Sequence, residues 1–151
     1  MPAILKKIQE FLLKNRKTIS VAESCTGGLL AKMLTDSPGS SRYFILGVTV
    51  YSNESKTRIL GIPSKLISRR GVVTGKIAEG MARNIRRIAK TDYGMGITGI
   101  AGPTGETSGK PVGTVFIAVS NNKKTVCRKF LFRGNRLSIR NQACLNSLKL
   151  L

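Results

Sequence analysis

Apolar positions along the chain fall into two spacings. Ile4, Leu5, Ile8, Phe11 and Leu12 recur at helical intervals with lysines between them, which predicts a first helix within Pro2 to Lys17. A short β-type run, Thr18 to Val21, leads into a helical run predicted from about Thr26 to Thr35 and stopped by Asp36-Ser37-Pro38-Gly39. Phe44 to Tyr51 is a run of apolar and β-branched residues, the pattern of a strand buried on both faces, and is expected at the centre of a sheet. Two short helices, Ser55 to Leu60 and Pro63 to Arg70, are expected next, the first closed by Gly61. From Thr74 to Lys90, Ile77, Met81, Ile85 and Ile88 share one side of a helix, opposite Lys76, Arg83, Arg87 and Lys90. Strands are predicted at Tyr93 to Ile100, Val112 to Ser120 and Thr125 to Phe132, the last two joined by a hairpin turn at Asn121-Asn122. After Gly134-Asn135 a last helix turns Leu137, Cys144, Leu148 and Leu151 toward the core.

The order α-β-α-β-α-α-β-β-β-α points to an α/β fold. The expected architecture is a single-domain α/β sandwich over residues 1–151, with a mixed sheet of about five strands flanked by helices. The longest apolar runs fall well short of the roughly 20 residues that span a bilayer, so no membrane partner is expected. The first helix contains Glu10 and lacks a cleavable apolar block, so it reads as structure rather than as a presequence. Cys25, Cys127 and Cys144 are odd in number and widely spaced, which fits neither a disulfide framework nor a zinc pattern and favours a reducing, cytoplasmic setting. There is no histidine. That excludes His-based triads, His metal sites and His general acid–base roles and leaves Lys, Tyr, Asp, Glu or a terminus for proton transfer, with no metal and no cofactor expected.

Charge changes the picture. The 26 Lys and Arg residues face only 7 Asp and Glu, a net charge of +19, which attracts phosphates on a metabolite or on nucleic acid. The cations are spread from Lys6 to Lys149, and three Tyr and five Phe supply few stacking platforms for single strands. A generally basic surface is therefore the first reading and a nucleic-acid face the second.

Candidate chemistry concentrates in Ala22-Glu23-Ser24-Cys25-Thr26-Gly27-Gly28, a strand-to-helix turn in which Ser24 or Thr26 is expected to cap the following helix. A helix start bared by two glycines presents N–H donors to a phosphate or an oxyanion, and the Ser24 hydroxyl sits beside it. Gly94-Met95-Gly96-Ile97-Thr98-Gly99 matches a dinucleotide fingerprint by letter. Its glycines nevertheless lie inside the predicted strand, and no helix start follows, so it reads instead as a strand end entering a Gly/Pro loop. If the first three strands are parallel, Ser24, Tyr51 and Thr98 meet on one rim. Lys56 is then the candidate base for Ser24, its pKa lowered by burial and by cations such as Arg58, Arg136 or Arg140. Cys25 is the rival nucleophile.

Six strings in order carry a resemblance over nearly the whole chain: Ala22 to Gly28; Pro38-Gly39-Ser40-Ser41; Tyr51-Ser52-Asn53-Glu54-Ser55-Lys56; Thr98-Gly99-Ile100-Ala101-Gly102-Pro103; Lys110-Pro111-Val112-Gly113-Thr114-Val115; and Gly134-Asn135-Arg136 with Ile139-Arg140. The chain resembles the C-terminal domain of the competence/damage-inducible protein CinA and its stand-alone relatives, the nicotinamide mononucleotide (NMN) deamidases. The resemblance implies an α/β sandwich that assembles as a homo-oligomer and hydrolyses the carboxamide of NMN to nicotinate mononucleotide and ammonia without a metal. It implies Ser24 as nucleophile, Lys56 as general base and Tyr51 as a supporting group. Ser41, Thr98 and Gly99 are implied as further site positions, together with an arginine at Arg136 or Arg140 for the substrate. Amides near Thr26 and Gly27 would hold the oxyanion. Thr74 stands where relatives usually carry serine, and Glu106 enters a loop that is otherwise glycine-rich. No counterpart of the CinA N-terminal domain is expected in this sequence. The alternative function is a basic, nucleic-acid-binding or competence-linked accessory protein without deamidase activity.

Overall fold

A computed structural model describes residues 3–151; Met1 and the predicted helix start at Pro2 lie outside them. In chain order the elements are α1 (Ala3–Lys14), β1 (Ile19–Glu23), α2 (Leu29–Thr35), a 3-10 turn (Ser40–Arg42), β2 (Phe44–Thr49), α3 (Asn53–Leu60), α4 (Ser64–Arg70), α5 (Gly75–Ala89), β3 (Tyr93–Gly99), β4 (Thr114–Ser120), β5 (Thr125–Leu131) and α6 (Arg136–Leu150). The strands form one sheet in the order β2-β1-β3-β4-β5. β1 runs parallel to β2 and to β3, while β4 and β5 return antiparallel, giving the mixed five-stranded sheet expected from the pattern.

Helices cover both faces. On one side Leu5, Ile8 and Leu12 of α1, Leu30 and Leu34 of α2, and Ile139, Ala143, Cys144 and Leu148 of α6 pack on Ile19, Val21, Met95, Ile97, Val115 and Ile117 of the sheet. On the other, Ile77, Met81 and Ile85 of α5 join Ala22, Leu60, Ile62 and Ile67. Burying a large aliphatic side chain contributes roughly 1.5–3 kcal/mol, so these two layers are the main stabilising term. The fingerprint-like glycines are packing devices. A Cβ on Gly94 would run into the Ala82 carbonyl, one on Gly96 into the Ala78 carbonyl, and one on Gly99 would lie 2.8 Å from the Thr114 carbonyl. α5 therefore lies directly on β3.

Four local expectations are corrected. Phe44–Thr49 is an edge strand, not a central one: among the described residues it pairs only with β1, its residues alternate half-buried and exposed, and Ile45 is 50% exposed. Apolar content alone does not separate the middle of a parallel sheet from its border. α2 begins at Leu29 rather than Thr26, because Gly27 and Gly28 take φ of 59° and 89°, outside any helix. Ile88 is 52% exposed because Gly94, near the start of β3, already lies under Ala82 and Arg86, so no sheet remains beneath the last turn of α5. Leu137 is 60% exposed in the first turn of α6, where burial begins only at Ile139.

Candidate active site

Parallel pairing of β2, β1 and β3 brings their C-terminal ends to one rim, the place where open α/β sheets receive ligands. Side chains alternate along β1, so Glu23 leaves toward α2 and Ser24 toward α3. Ser24 continues the ladder by donating its N–H to the Ile97 carbonyl at 3.1 Å. Its hydroxyl makes no side-chain hydrogen bond among the described residues, and it lines a cavity of about 260 Å³ with Tyr51, Lys56, Val72, Thr98 and Arg136.

Lys56 is carried by α3, whose N-cap Ser52 accepts from the Ser55 N–H at 3.0 Å. The side chain is 1% exposed, and its Nζ donates to the carbonyls of Val50 at 2.7 Å and Tyr51 at 3.0 Å, with a longer contact of 3.5 Å to Ser52. Burial disfavours the ammonium and lowers the pKa from 10.5 to about 8; the nearby Cys25 opposes this slightly. A neutral amine has two N–H donors and one lone pair. The two short bonds use the donors and leave the lone pair for a proton delivered through the cavity. No hydrogen bond joins Lys56 to Ser24 directly.

At the mouth of the cavity, Arg136 Nη2 donates to the Tyr51 hydroxyl at 2.9 Å and Nη1 to the Gly102 carbonyl at 2.8 Å. This ties α6, the loop after β3 and the end of β2 into one frame. Thr98, 1% exposed, donates its hydroxyl to the Val72 carbonyl at 3.0 Å and so fixes the segment before α5 against the site. Gly99 completes the wall.

The expected anion site at the start of α2 is already occupied from within. The carboxylate of Glu23, 1% exposed, accepts from the N–H groups of Gly28 at 3.1 Å, Leu30 at 3.1 Å and Ala31 at 2.8 Å. Neither Ser24 nor Thr26 caps the helix; Gly28 is the N-cap position and has no side chain to cap with, so Glu23 does so from the strand. The amide of Gly27 is spent on the Ser24 carbonyl at 3.1 Å. The amides of Cys25 and Thr26 are spent on no carbonyl or carboxylate, and of the two residues only Cys25 lines the cavity, which makes its amide the candidate oxyanion donor beside Ser24.

Four implied site positions lie outside the cavity lining: Thr26, Gly27, Ser41 and Arg140. Thr26 is fully buried behind it, and Arg140 Nη2 donates to the Thr26 carbonyl at 2.7 Å, approaching over Gly27, where a Cβ would stand 3.2 Å from that nitrogen. Arg140 therefore holds the turn from behind, whereas Arg136 faces the cavity. Ser41 is exposed in the 3-10 turn that leads into β2, a strand's length of about 20 Å from the rim in this chain. Cys25 touches the cavity, but burial pushes its thiol up to about 12, so it stays protonated. Sequence reasoning missed Glu23 as the cap; strand alternation from Ser24 was the available signal. It also missed Val72 and Val73, which carry no chemical signature. Among the described residues, no group of three or more His, Cys, Asp or Glu could hold a metal ion, and no helix is long and apolar enough to cross a membrane.

Relatives share both sequence and structure. The chain is 47% identical over 144 residues to a CinA-like protein of Desulfotalea psychrophila, covering 95% of this chain and 35% of that protein. It is 44% identical over 131 residues to a CinA-like protein of Geobacter sulfurreducens, covering 87% and 32%. The chain thus spans about a third of the length of these relatives. Its fold superposes with a TM-score of 0.93 on a competence or damage-inducible protein from Enterobacter asburiae, at 33% identity over 97% of this chain and 92% of that one. The competence/damage inducible protein CihA from Agrobacterium tumefaciens gives 0.92 at 28% identity, covering 99% and 94%. The family model of the CinA C-terminal domain matches residues 2–151, and this chain belongs to that family.

Proposed function

We infer that the cavity at the ends of β1, β2 and β3 is an amidohydrolase site for the carboxamide of nicotinamide mononucleotide, giving nicotinate mononucleotide and ammonia. The observation that carries this reading is a nucleophile-type hydroxyl and an amine lowered to about pH 8 facing one cavity in a chain without histidine. Its volume, about 260 Å³, lies near the lower end of small-molecule pockets, roughly 300–1,000 Å³, and suits the pyridine carboxamide with the phosphate left at the mouth. Arg136 stands at that mouth with a partly free guanidinium.

In this reading neutral Lys56 accepts the Ser24 Oγ proton as Oγ bonds to the carboxamide carbon. The amide of Cys25, a residue that lines the cavity, receives the oxyanion. Lys56 returns the proton to the departing nitrogen as the C–N bond breaks and ammonia leaves. Water, deprotonated by the same amine, then attacks the acyl-enzyme, releases the carboxylate and restores Ser24. Tyr51 orients Arg136 and the substrate at the entrance.

The test is ammonia release from NMN by the purified protein, beside nicotinamide and unrelated amides. Ser24→Ala is expected to lose roughly three or more orders of magnitude in kcat while still binding NMN. Near-normal turnover in Ser24→Ala would sink the assignment. Assembly as a homo-oligomer belongs to the same proposal, supported by the unpaired outer edge of β2 with its exposed Ile45, and sedimentation velocity checks it.

A further inference from the structure

The rim opposite the candidate active site concentrates positive charge without matching carboxylates. Two adjoining concavities of about 530 and 410 Å³ lie where the C-terminal turn of α5 meets the β4–β5 hairpin, and they share Arg86, Asn121, Asn122 and Lys123. The acids there are already engaged. Asp92 accepts from Lys17 Nζ at 2.8 Å, from the Thr18 N–H at 2.9 Å and from the Thr18 hydroxyl at 3.0 Å, while Glu79 pairs with Arg83 at 3.7 Å. Among the described residues Arg86, Arg87, Lys90, Lys123 and Lys124 have no carboxylate partner.

The cations are held in place by the fold. Gly94 has no side chain, which lets the Arg86 stem rest on β3; a Cβ there would lie 2.6 Å from Arg86 Cβ. Arg86 lines both concavities, and its Nε is buried without a hydrogen-bond acceptor among the described residues. Lys90 takes φ of 53° as the C-cap of α5, a position that glycine or asparagine fills without strain. Asn121 Oδ1 accepts from the N–H groups of Lys123 and Lys124, both at 2.9 Å, so the hairpin presents these lysines on a fixed turn. Part of this charge answers the negative end of the α5 dipole, but the hairpin lysines belong to another element and have no helix end to serve.

We propose that this rim is a second anion site, specific for a compact polyphosphate group such as an inorganic or nucleotide triphosphate, clamped between the last turn of α5 and the β4–β5 hairpin. A compact ligand is favoured over a nucleic-acid duplex because the cations line concavities rather than a convex stripe, and the unsatisfied Arg86 lies in their wall. Few aromatic faces are present for base stacking. The strand β3 separates this rim from Ser24 by about 20 Å.

Isothermal titration calorimetry of the intact protein with tripolyphosphate tests the site. Binding is expected to weaken roughly tenfold or more in the double variant Lys90→Gln/Lys123→Gln, two exposed positions, and to persist in Lys7→Gln/Lys65→Gln, which removes the same charge elsewhere. Saturating NMN should leave the tripolyphosphate titration unchanged, so failure of the deamidase reading does not touch this one. Arg86→Lys, which keeps charge but loses the planar fork, is expected to fall between wild type and the double variant. The proposal is overturned if tripolyphosphate does not bind, if both double variants lose affinity equally, if NMN displaces it, or if a duplex of about 20 base pairs binds more tightly per phosphate through the same lysines.

Discussion

Glu23 and Ser24 are neighbours in the chain whose side chains leave β1 on opposite faces of the sheet: the carboxylate closes the start of α2 with three N–H bonds, and the hydroxyl enters the cavity. One strand end thus fixes a helix and aims a hydroxyl. Removing the carboxylate orphans three donors, so Glu23→Ala is expected to cost about 2–3 kcal/mol in urea denaturation, and Glu23→Gln less, since it keeps one acceptor. Turnover should fall in step, because the same turn carries Ser24.

The proposed role of Lys56 sets a pH dependence. With neutral Lys56 as the proposed base, kcat/KM should rise about tenfold per unit up to roughly pH 8 and then level off. A profile flat from pH 6 to 9 contradicts Lys56 as the base.

Stability follows the same residue. The folded pKa of about 8 lies below the unfolded 10.5, so between these values the unfolded chain binds more protons and stability rises with pH. Lys56→Met lacks this contribution. The wild type should therefore gain roughly 3 kcal/mol on the variant between pH 8 and 10.5, read from paired denaturant titrations; a constant difference would show that the amine is not desolvated.

Cys25→Ala is expected to keep activity within about threefold, and iodoacetamide at pH 8 should label Cys25 far more slowly than a free thiol, because burial holds the thiol up to about 12. Rapid labelling with loss of turnover would promote Cys25 to nucleophile.

Arg136→Gln separates binding from chemistry. It should raise KM for NMN roughly tenfold or more with a smaller change in kcat, and should have less effect on the substrate lacking its phosphate. Equal losses on both substrates would mean that Arg136 only frames the loop through Gly102 and Tyr51.

The layering of the fold was legible because burial leaves a period in the sequence. Ile77, Met81 and Ile85 marked the inner face of α5, and Asn121-Asn122 marked the hairpin. Position within the sheet was not legible: Phe44–Thr49 has a core-like composition yet borders solvent, since β1 is its only partner. Ends of elements failed for a related reason. Ile88 and Leu137 keep the helical phase of buried residues, but they project past the sheet, whose extent is a tertiary quantity. Within the site, Ser24, Tyr51, Lys56, Thr98 and Arg136 were legible from strand ends and resemblance together. The bonds of Lys56 to main-chain carbonyls and the plugging of α2 by Glu23 were not, because a backbone oxygen has no letter and a carboxylate does not announce its partner.

The Lys56 amine is moored by oxygens that every amino acid possesses. Exchanging Val50, which is buried in the core, for an apolar side chain of like size therefore leaves the mooring intact. A single residue inserted between Tyr51 and Lys56 turns the helix about 100° and carries the nitrogen away from its berth. The spacing of this segment, more than its spelling, is what the chemistry depends on.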